Sequence, residues 1–281
     1  MMAITFPKVP HSLTPYVNRL IISEDFNHDP LHVRPWATGA TYLVYFYNHL
    51  SNYEVIVEGK HHNLIYPAWM AGQLKYHQVD LNMKRDTQVV VAELKPQAFW
   101  QLFHRAGETL TGRTCQMRDL HSDIETLSNL HFLPVAETKE QALTAIIGFL
   151  EALVPNAQPA DPIVDYMLTN INKNPEKFDI SYISKKQGIS RQTLTKRFTK
   201  IVGLGPKFYS RVVQVNRLVD LLIGGKKIRL AFLALRAGFY DQAHMTKAMH
   251  QFFSQGPNEF LQSDHETFLE FLQKLRDDVV D

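Results

Sequence analysis

Cysteine is almost absent: among 281 residues only Cys115 carries a thiol. This excludes an intramolecular disulfide framework and any multi-cysteine zinc or iron-sulfur site, and it suits a reducing compartment. Long apolar runs are absent too. The longest, Tyr42 to Tyr47 and Phe232 to Leu235, fall far short of the roughly 20 residues that span a bilayer, so no membrane insertion is expected. Residues 1–22 are interrupted by Pro7, Pro10 and Pro15 and hold no apolar core of signal-peptide length, so no export is expected. The sequence has no Gly-x-Ser-x-Gly elbow, no His-Glu-x-x-His helix and no Gly-rich phosphate loop, the usual carriers of hydrolase, zinc-protease and nucleotide chemistry. With 45% hydrophobic and 21% charged residues, the chain is neither disordered nor low in complexity.

What is present is an uneven charge. The total is only +2, but Lys173 to Phe253 holds 16 Lys and Arg against four acids, Glu176, Asp179, Asp220 and Asp241. That segment therefore carries +12 and the rest of the chain −10, the footprint of an element that meets a polyanion. A solvated basic face is the plain alternative.

The length suggests about two domains of roughly 150 residues each. Three prolines in 154–162 bar both helix interior and central strand, and mark a linker. Ahead of it, Thr41 to Asn48, Glu54 to Glu58, Asn63 to Tyr66 and Thr87 to Leu94 are short Val-, Ile- and aromatic-rich runs separated by turn residues, which predicts antiparallel strands. Pro96 to Arg105 and Glu137 to Leu153 have helical apolar spacing. After the linker there is almost no strand signal. The expected fold is α+β and multidomain: a β-barrel or sandwich with appended helices in 1–153, a linker at 154–162, an all-helical domain at 163–261 and a helical tail at 262–281.

An internal repeat defines the second domain. At an offset of 51, Ser190, Leu194, Thr195, Lys196, Phe198, Ile201, Val202 and Pro206 meet Asp241, Met245, Thr246, Lys247, Met249, Phe252, Phe253 and Pro257. At an offset of 50, Ile180, Ile183 and Gly188 meet Leu230, Leu233 and Gly238. Each copy reads as a short helix, a glycine suited to positive φ, a Ser or Asp N-cap and a second helix, the helix-turn-helix order. In the second helices Leu194, Phe198 and Ile201, and likewise Met245, Met249 and Phe252, form buried stripes. Arg191, Gln192, Thr195, Lys196 and Thr199 are left outward in the first, and Gln242, Ala243, Thr246, Lys247 and His250 in the second. Such hydrogen-bonding side chains suit base edges in a major groove. Lys207 to Ile223 joins the copies with helical periodicity, about 25 Å of helix, comparable with the roughly 34 Å between successive groove faces.

Asp179 to Phe260 resembles the double helix-turn-helix domain of AraC/XylS-type transcriptional regulators. The resemblance rests on Ile180-Ser-Tyr-Ile-Ser, on Gly188 to Phe198, and on Leu233-Ala-Leu-Arg-Ala-Gly-Phe-Tyr-Asp-Gln-Ala-His-Met-Thr-Lys-Ala-Met249 with Pro257. The departures are Gly205 and Gly256 before proline, Ser254 in place of a turn glycine, and Met245 and Met249 in place of aromatics. The resemblance implies base contacts by Gln192, Thr195 and Lys196, and by Gln242, Thr246 and Lys247. Lys suits guanine O6 and N7, and Gln suits adenine. Ser181, Arg191, Lys200, Lys207 and Arg211, near helix starts or flanks, are the candidates for phosphate contacts, which set register without reading sequence.

The first domain is similar to the cupin-like sensor domains of the same family. That implies binding of a small effector, or homodimerisation through the helix after the barrel, here Glu137 to Leu153; the same helix could instead cover its own barrel. Trp36, Tyr42, Tyr45, Phe46, Tyr47, Tyr53, Tyr66 and Trp69 predict an aromatic interior, which suits a ligand pocket and a packed core equally, so no effector-binding residue is named. His49, His61, His62 and His77 lie near Glu54 and Glu58, but adjacent His61 and His62 would point to opposite faces of a strand, against a metal site. Cys115, near Arg113 and Arg118, reads as a small buried hydrophobe. No cofactor and no catalytic residue are expected.

The reading is thus a cytoplasmic bacterial regulator that binds double-stranded DNA, is not an enzyme, and has an effector, a second copy of itself and RNA polymerase as further partners. Two alternatives stand beside it: a metal-dependent cupin enzyme with an accessory DNA-binding domain, and an effector-independent DNA-binding protein.

Overall fold

The computed structural model describes residues 3–24, 31–33, 35–48, 53–57, 60–63, 67–76, 79–83, 87–117, 119–120, 135–223 and 229–262. Among the described residues its first part contains ten strands: β1 (Ala3–Thr5), β2 (Val17–Glu24), β3 (Leu31–Val33), β4 (Thr41–Tyr47), β5 (Tyr53–Val57), β6 (Lys60–Asn63), β7 (Ala68–Ala71), β8 (Val79–Met83), β9 (Gln88–Leu94) and β10 (Thr114–Gln116). They form two antiparallel sheets, ordered β1-β2-β9-β4-β7-β10 and β3-β8-β5-β6. Side chains alternate across a strand, and in β4 this sends Leu43, Tyr45 and Tyr47 inward. The β4–β9 register sets Leu43 opposite Ala92 and Tyr45 opposite Val90, so small residues on one strand accept large ones from the other.

Helices α1 (Ala98–Phe103) and α2 (Lys139–Leu153) close this core. The Thr138 side chain caps α2 by accepting from the Gln141 amide. Ala142, Ile146, Phe149, Leu150 and Leu153 of α2 are buried in the same cluster as β4 and β9, so this helix covers its own sheet. Leu143 and Ile147 are only half buried.

The second part is all helical: α3 (Pro162–Lys173), α4 (Ile180–Gln187), α5 (Arg191–Val202), α6 (Pro206–Ile223), α7 (Leu230–Arg236), α8 (Gln242–Phe253) and α9 (Pro257–Gln262). Its core joins both repeats to α6. Leu194, Phe198 and Ile201 share one cluster with Met245, Met249 and Phe252 through Val212, Val215, Leu218 and Val219. Fully burying each such side chain stabilises by about 1.5–3 kcal/mol, so the two repeats are one packed unit.

One expectation needs correction. Trp36 does not line the first core. It packs with the second, its ring 5.3 Å from that of Phe253, with its indole N–H donating to Asn216 Oδ1 at 2.7 Å. Of the strand expected at 63–66, Asn63 ends β6 and residues 64–66 lie outside the described residues. Side chains at Tyr53, Tyr66, His49, His61, His62, His77, Glu54 and Glu58, together with the tail beyond 262, lie outside the described residues. Among the described residues no helix is long and apolar enough to cross a membrane, and no cluster of three metal-type ligands occurs.

Segment 154–162 is held along α1. The Gln158 amide donates to Gln101 O at 2.9 Å, Gln101 Nε2 donates back to Gln158 O at 3.2 Å, and His104 Nε2 meets Asn156 O at 2.7 Å. At its end the Asp161 amide donates to Gln97 Oε1 at 2.9 Å. The stretch opens with a 3-10 turn, Val154–Asn156, and ends where Pro162 begins α3; between them Gln101 and Gln97 side chains bond its backbone groups.

Candidate nucleic-acid interface

Each repeat is terminated and restarted by the residues its sequence supplies. Gly188 ends α4 at φ 65°, a left-handed conformation that costs glycine nothing. Ser190 then caps α5, its hydroxyl accepting from the Thr193 amide at 3.1 Å. In the second repeat Asp241 caps α8 by accepting from the His244 amide at 2.7 Å. Ser254 takes φ 58° at the C-cap of α8, where the first repeat has Gly203 at φ 95°. The replacement of glycine noted in the sequence thus leaves the turn intact but strained.

The apolar stripes turn inward as expected, leaving Arg191, Gln192, Thr195 and Lys196 exposed on α5 and Gln242 and Lys247 exposed on α8. Thr246 is half buried. The Thr195 hydroxyl donates to Arg191 O at 2.8 Å, so its proton is taken and only its lone pairs face outward. Among the phosphate candidates, Lys200 ends α5 and Lys207 begins α6, both exposed, while Arg211 follows one turn after Lys207 and is half buried. The Ser181 amide is already used by the Asp179 cap at 2.7 Å, leaving its hydroxyl. Among the described residues none of Lys196, Lys200, Lys207, Arg211 and Lys247 has a carboxylate partner, so these cations need no rearrangement to meet phosphate or base.

Three ties hold α6, the turn of the second repeat and the segment after α3 together. Gln214 Nε2 on α6 donates to Gly238 O, Ser210 Oγ donates to Pro175 O at 2.5 Å, and a Cβ at Gly238 would lie 2.9 Å from Glu176 Oε2. The turn of the second repeat therefore sits directly on the short helix that follows α3. The 18 residues of α6 span about 27 Å, which sets a rigid separation between the ends of α5 and α8.

Sequence reasoning missed the joint between the two parts. The tip of α5 rests on a 3-10 turn, Gly107–Thr109, of the sheet domain. Gln73 Nε2 donates to Val202 O at 2.7 Å, Thr111 Oγ1 donates to Gly203 O at 2.7 Å, and a Cβ on Gly107 would sit 2.5 Å from Ile201 O. Arg197, on α5, pairs with Asp161 at 2.5 Å, and Asp161 also caps α3 through the Ile163 and Val164 amides. On the other side of the joint Asn216 Nδ2 donates to Thr38 O at 2.9 Å, and Tyr209 packs under Gly39. Burial holds the Tyr209 phenol well above its ordinary pKa, so it stays neutral within this joint. No spacing rule reveals these contacts, because each links residues 36 to 180 positions apart.

Cys115 lies half buried on β10, opposite Met70. Burial, then the nearby Asp119 carboxylate, push its thiol up to about 11.

Residues 183–263 match the helix-turn-helix domain family, which spans α5 and α8 with most of both repeats. No curated protein matches the chain. Among solved structures, ToxT from Vibrio cholerae is similar at 10% identity, covering 86% of this chain and 97% of its own, with a TM-score of 0.46. A probable AraC family transcriptional regulator from Rhodopseudomonas palustris is 24% identical over 36% of this chain and 96% of its own, TM-score 0.32. The DNA-binding domain of AdpA, in complex with a target DNA, is 18% identical over 38% and 96%, TM-score 0.33. Two capped helix-turn-helix units lie on one core, and the match to the helix-turn-helix domain family runs across both of them.

Proposed function

We propose that residues 163–261 read a specific duplex with α5 and α8 in successive major grooves. Gln192, Thr195 and Lys196 contact bases at one half-site, and Gln242, Thr246 and Lys247 contact bases at the other. Ser181, Arg191, Lys200, Lys207 and Arg211 bind phosphates. The observation that carries this reading is the shared core, which presents both sets of polar side chains on capped helices at a spacing set by α6. A rigid pair of reading heads accepts only sites whose halves match its separation or whose DNA bends to it, and the deformation energy then adds to specificity.

The sheet domain, residues 1–153, is the sensing or dimerising part. Its contact with the α5 tip supports this, since anything that reshapes the Gly107–Thr109 turn moves the first reading head. If two copies associate through α2, they do so on its outer side, where Leu143 and Ile147 are half buried, because the inner side is used by the sheet. The effector is a small molecule of unassigned class. RNA polymerase is a further partner of such a regulator, which acts where the chromosome is, in the cytoplasm.

Selection of bound fragments from a random duplex library, with affinity followed against salt, tests the reading. A bipartite motif with halves about one helical turn apart is the expected result. Binding with no sequence preference and only a salt slope refutes it.

A further inference from the structure

The turns of the two helix-turn-helix units differ by one residue. Gly188 and Gly238 take φ 65° and 81°. The next amides, of Ile189 and Phe239, each donate five residues back, to Ser184 O at 3.2 Å and to Ala234 O at 2.8 Å, and both side chains pack into the helical core. Up to that point the turns match. In the first, Ser190 follows at once and caps α5 through the Thr193 amide; in the second, Asp241 caps α8 through the His244 amide, also three residues on, but Tyr240 stands between it and Phe239. Tyr240 is therefore the extra residue that shifts the repeat offset from 50 to 51.

Tyr240 is 87% exposed, the highest value among the exposed large hydrophobic side chains of the described residues. Among those residues it has no hydrogen-bond or ring partner. The first unit closes its turn without a counterpart, so the fold itself does not call for this side chain. A single exposed aromatic is ordinary; what sets this one apart is its place. It lies two residues ahead of Gln242, which opens α8. A reading helix brings its N-terminal residues to the base edges. The major groove is about 12 Å wide, so its phosphate walls stand about 6 Å to either side of a residue at its centre. Two residues of extended chain span up to about 7 Å, which brings Tyr240 to a wall when Gln242 reaches the bases. The second unit also lacks a cation that the first one has: the exposed Arg191 opens α5, and its counterpart at an offset of 51 is the neutral Gln242. A tyrosine hydroxyl is among the groups that contact phosphate oxygens in protein–DNA complexes, and the charge on the acceptor strengthens the bond.

We propose that Tyr240 is a further DNA-contact residue, its hydroxyl donating to a phosphate oxygen on the groove wall of the second half-site and so fixing how α8 enters the groove. This assignment rests on the reading in which α8 contacts bases. The second unit is then anchored beside its reading helix by a neutral donor, where the first uses Arg191.

The test uses the full-length protein and the duplex it selects from a random library. Tyr240→Phe is expected to weaken binding by about tenfold, by the same factor on every single-base variant of the site. The salt slope is expected to stay unchanged, because a neutral phenol releases no counterion. Urea midpoints of the parent and of Tyr240→Phe are expected to agree, since the hydroxyl has no partner within the described residues. Duplexes carrying one methylphosphonate at a time locate the contact: one position should weaken the parent and leave Tyr240→Phe unaffected. Parent-like binding by Tyr240→Phe overturns the proposal, and so does a loss confined to one base pair, which would make Tyr240 a base reader. Normal binding by Tyr240→Phe with weak binding by Tyr240→Ala also overturns it, by assigning the contact to the ring. A parent with no sequence preference refutes the DNA reading, and this assignment with it, before any variant is compared.

Discussion

Gly107→Ala is the substitution that most directly tests how the sheet domain holds the first reading head. The added Cβ would lie 2.5 Å from the Ile201 carbonyl oxygen and 2.9 Å from the Gly203 nitrogen. Carbon and carbonyl oxygen settle at about 3.3–3.6 Å, so the surfaces must part by about 0.8 Å or more, and the obstacle is backbone, which cannot rotate away. Parting at that point breaks the Thr111 bond to Gly203 O and the Gln73 bond to Val202 O, both 2.7 Å long. A net hydrogen bond is worth about 1 kcal/mol, and a buried group left without a partner costs about 1–3 kcal/mol. Gln73 is 2% exposed and its Oε1 already lacks a partner, so its amide has no water to turn to. The joint should weaken by about 2–4 kcal/mol, while neither hydrophobic cluster contains Gly107. Urea unfolding followed by far-UV and tryptophan signals should therefore separate into two transitions where the parent shows closer coupling. Hydrogen exchange should rise at 198–204 and at 107–111. A variant that unfolds as the parent does, with unchanged exchange at the α5 tip, would show that the joint carries no energy and that the sheet domain has no grip on the reading head.

Other expectations follow from the same contacts. Lys196→Ala or Lys247→Ala should cost about 1–3 kcal/mol at the selected site and relax preference at one position, whereas Arg211→Ala should weaken all duplexes alike and lower the salt slope by about one; equal, sequence-independent losses in gel-shift titrations contradict the assignment. Ser254→Gly should raise the urea midpoint by an amount equivalent to about 1 kcal/mol, because it relieves a left-handed residue at φ 58° whose Cβ is unfavourable there; no change means the turn has relaxed by other means. Asp161→Ala removes the α3 cap, worth about 1 kcal/mol, and leaves Arg197 unpaired, so thermal unfolding should fall further than for Arg197→Ala, which spares the cap. With its thiol pushed up to about 11 by burial and then by Asp119, Cys115 should alkylate slowly at neutral pH and faster as pH rises toward that value; rapid labelling at pH 7 contradicts this placement.

Much of the helical part was legible because its signals are local. Ser190 and Asp241 announce helix starts, Gly188 announces a stop, and Leu194, Phe198 and Ile201 mark a stripe, each rule acting within one or two turns of chain. The 50–51 residue repeat multiplied that evidence, and the side chains proposed to contact bases came with it, since an amphipathic helix exposes whatever its stripe does not bury. The sheet domain was less legible. The short strands β1, β3 and β10, three residues each, carry no periodicity to detect, and pairings such as β2 with β9 and β4 with β9 depend on partners far along the chain.

Trp36 shows where local reasoning stops. Its aromatic neighbours assigned it to the barrel, yet it packs on Phe253 and bonds Asn216, because the loop from 35 to 40 crosses to the helical domain. The linker prolines excluded helix and central strand, but only the facing hydrogen bonds of Gln97, Gln101 and His104 turn that segment into a fixed strap. Local chemistry thus determined that this chain has two capped helix-turn-helix units in a basic, all-helical domain. Whether those helices are held against the sheet domain, and at which residues, was decided only in three dimensions, because the close approach of Gly107 to Ile201 and the bonds from Gln73 and Thr111 exist only when segments some ninety or more positions apart are brought into contact.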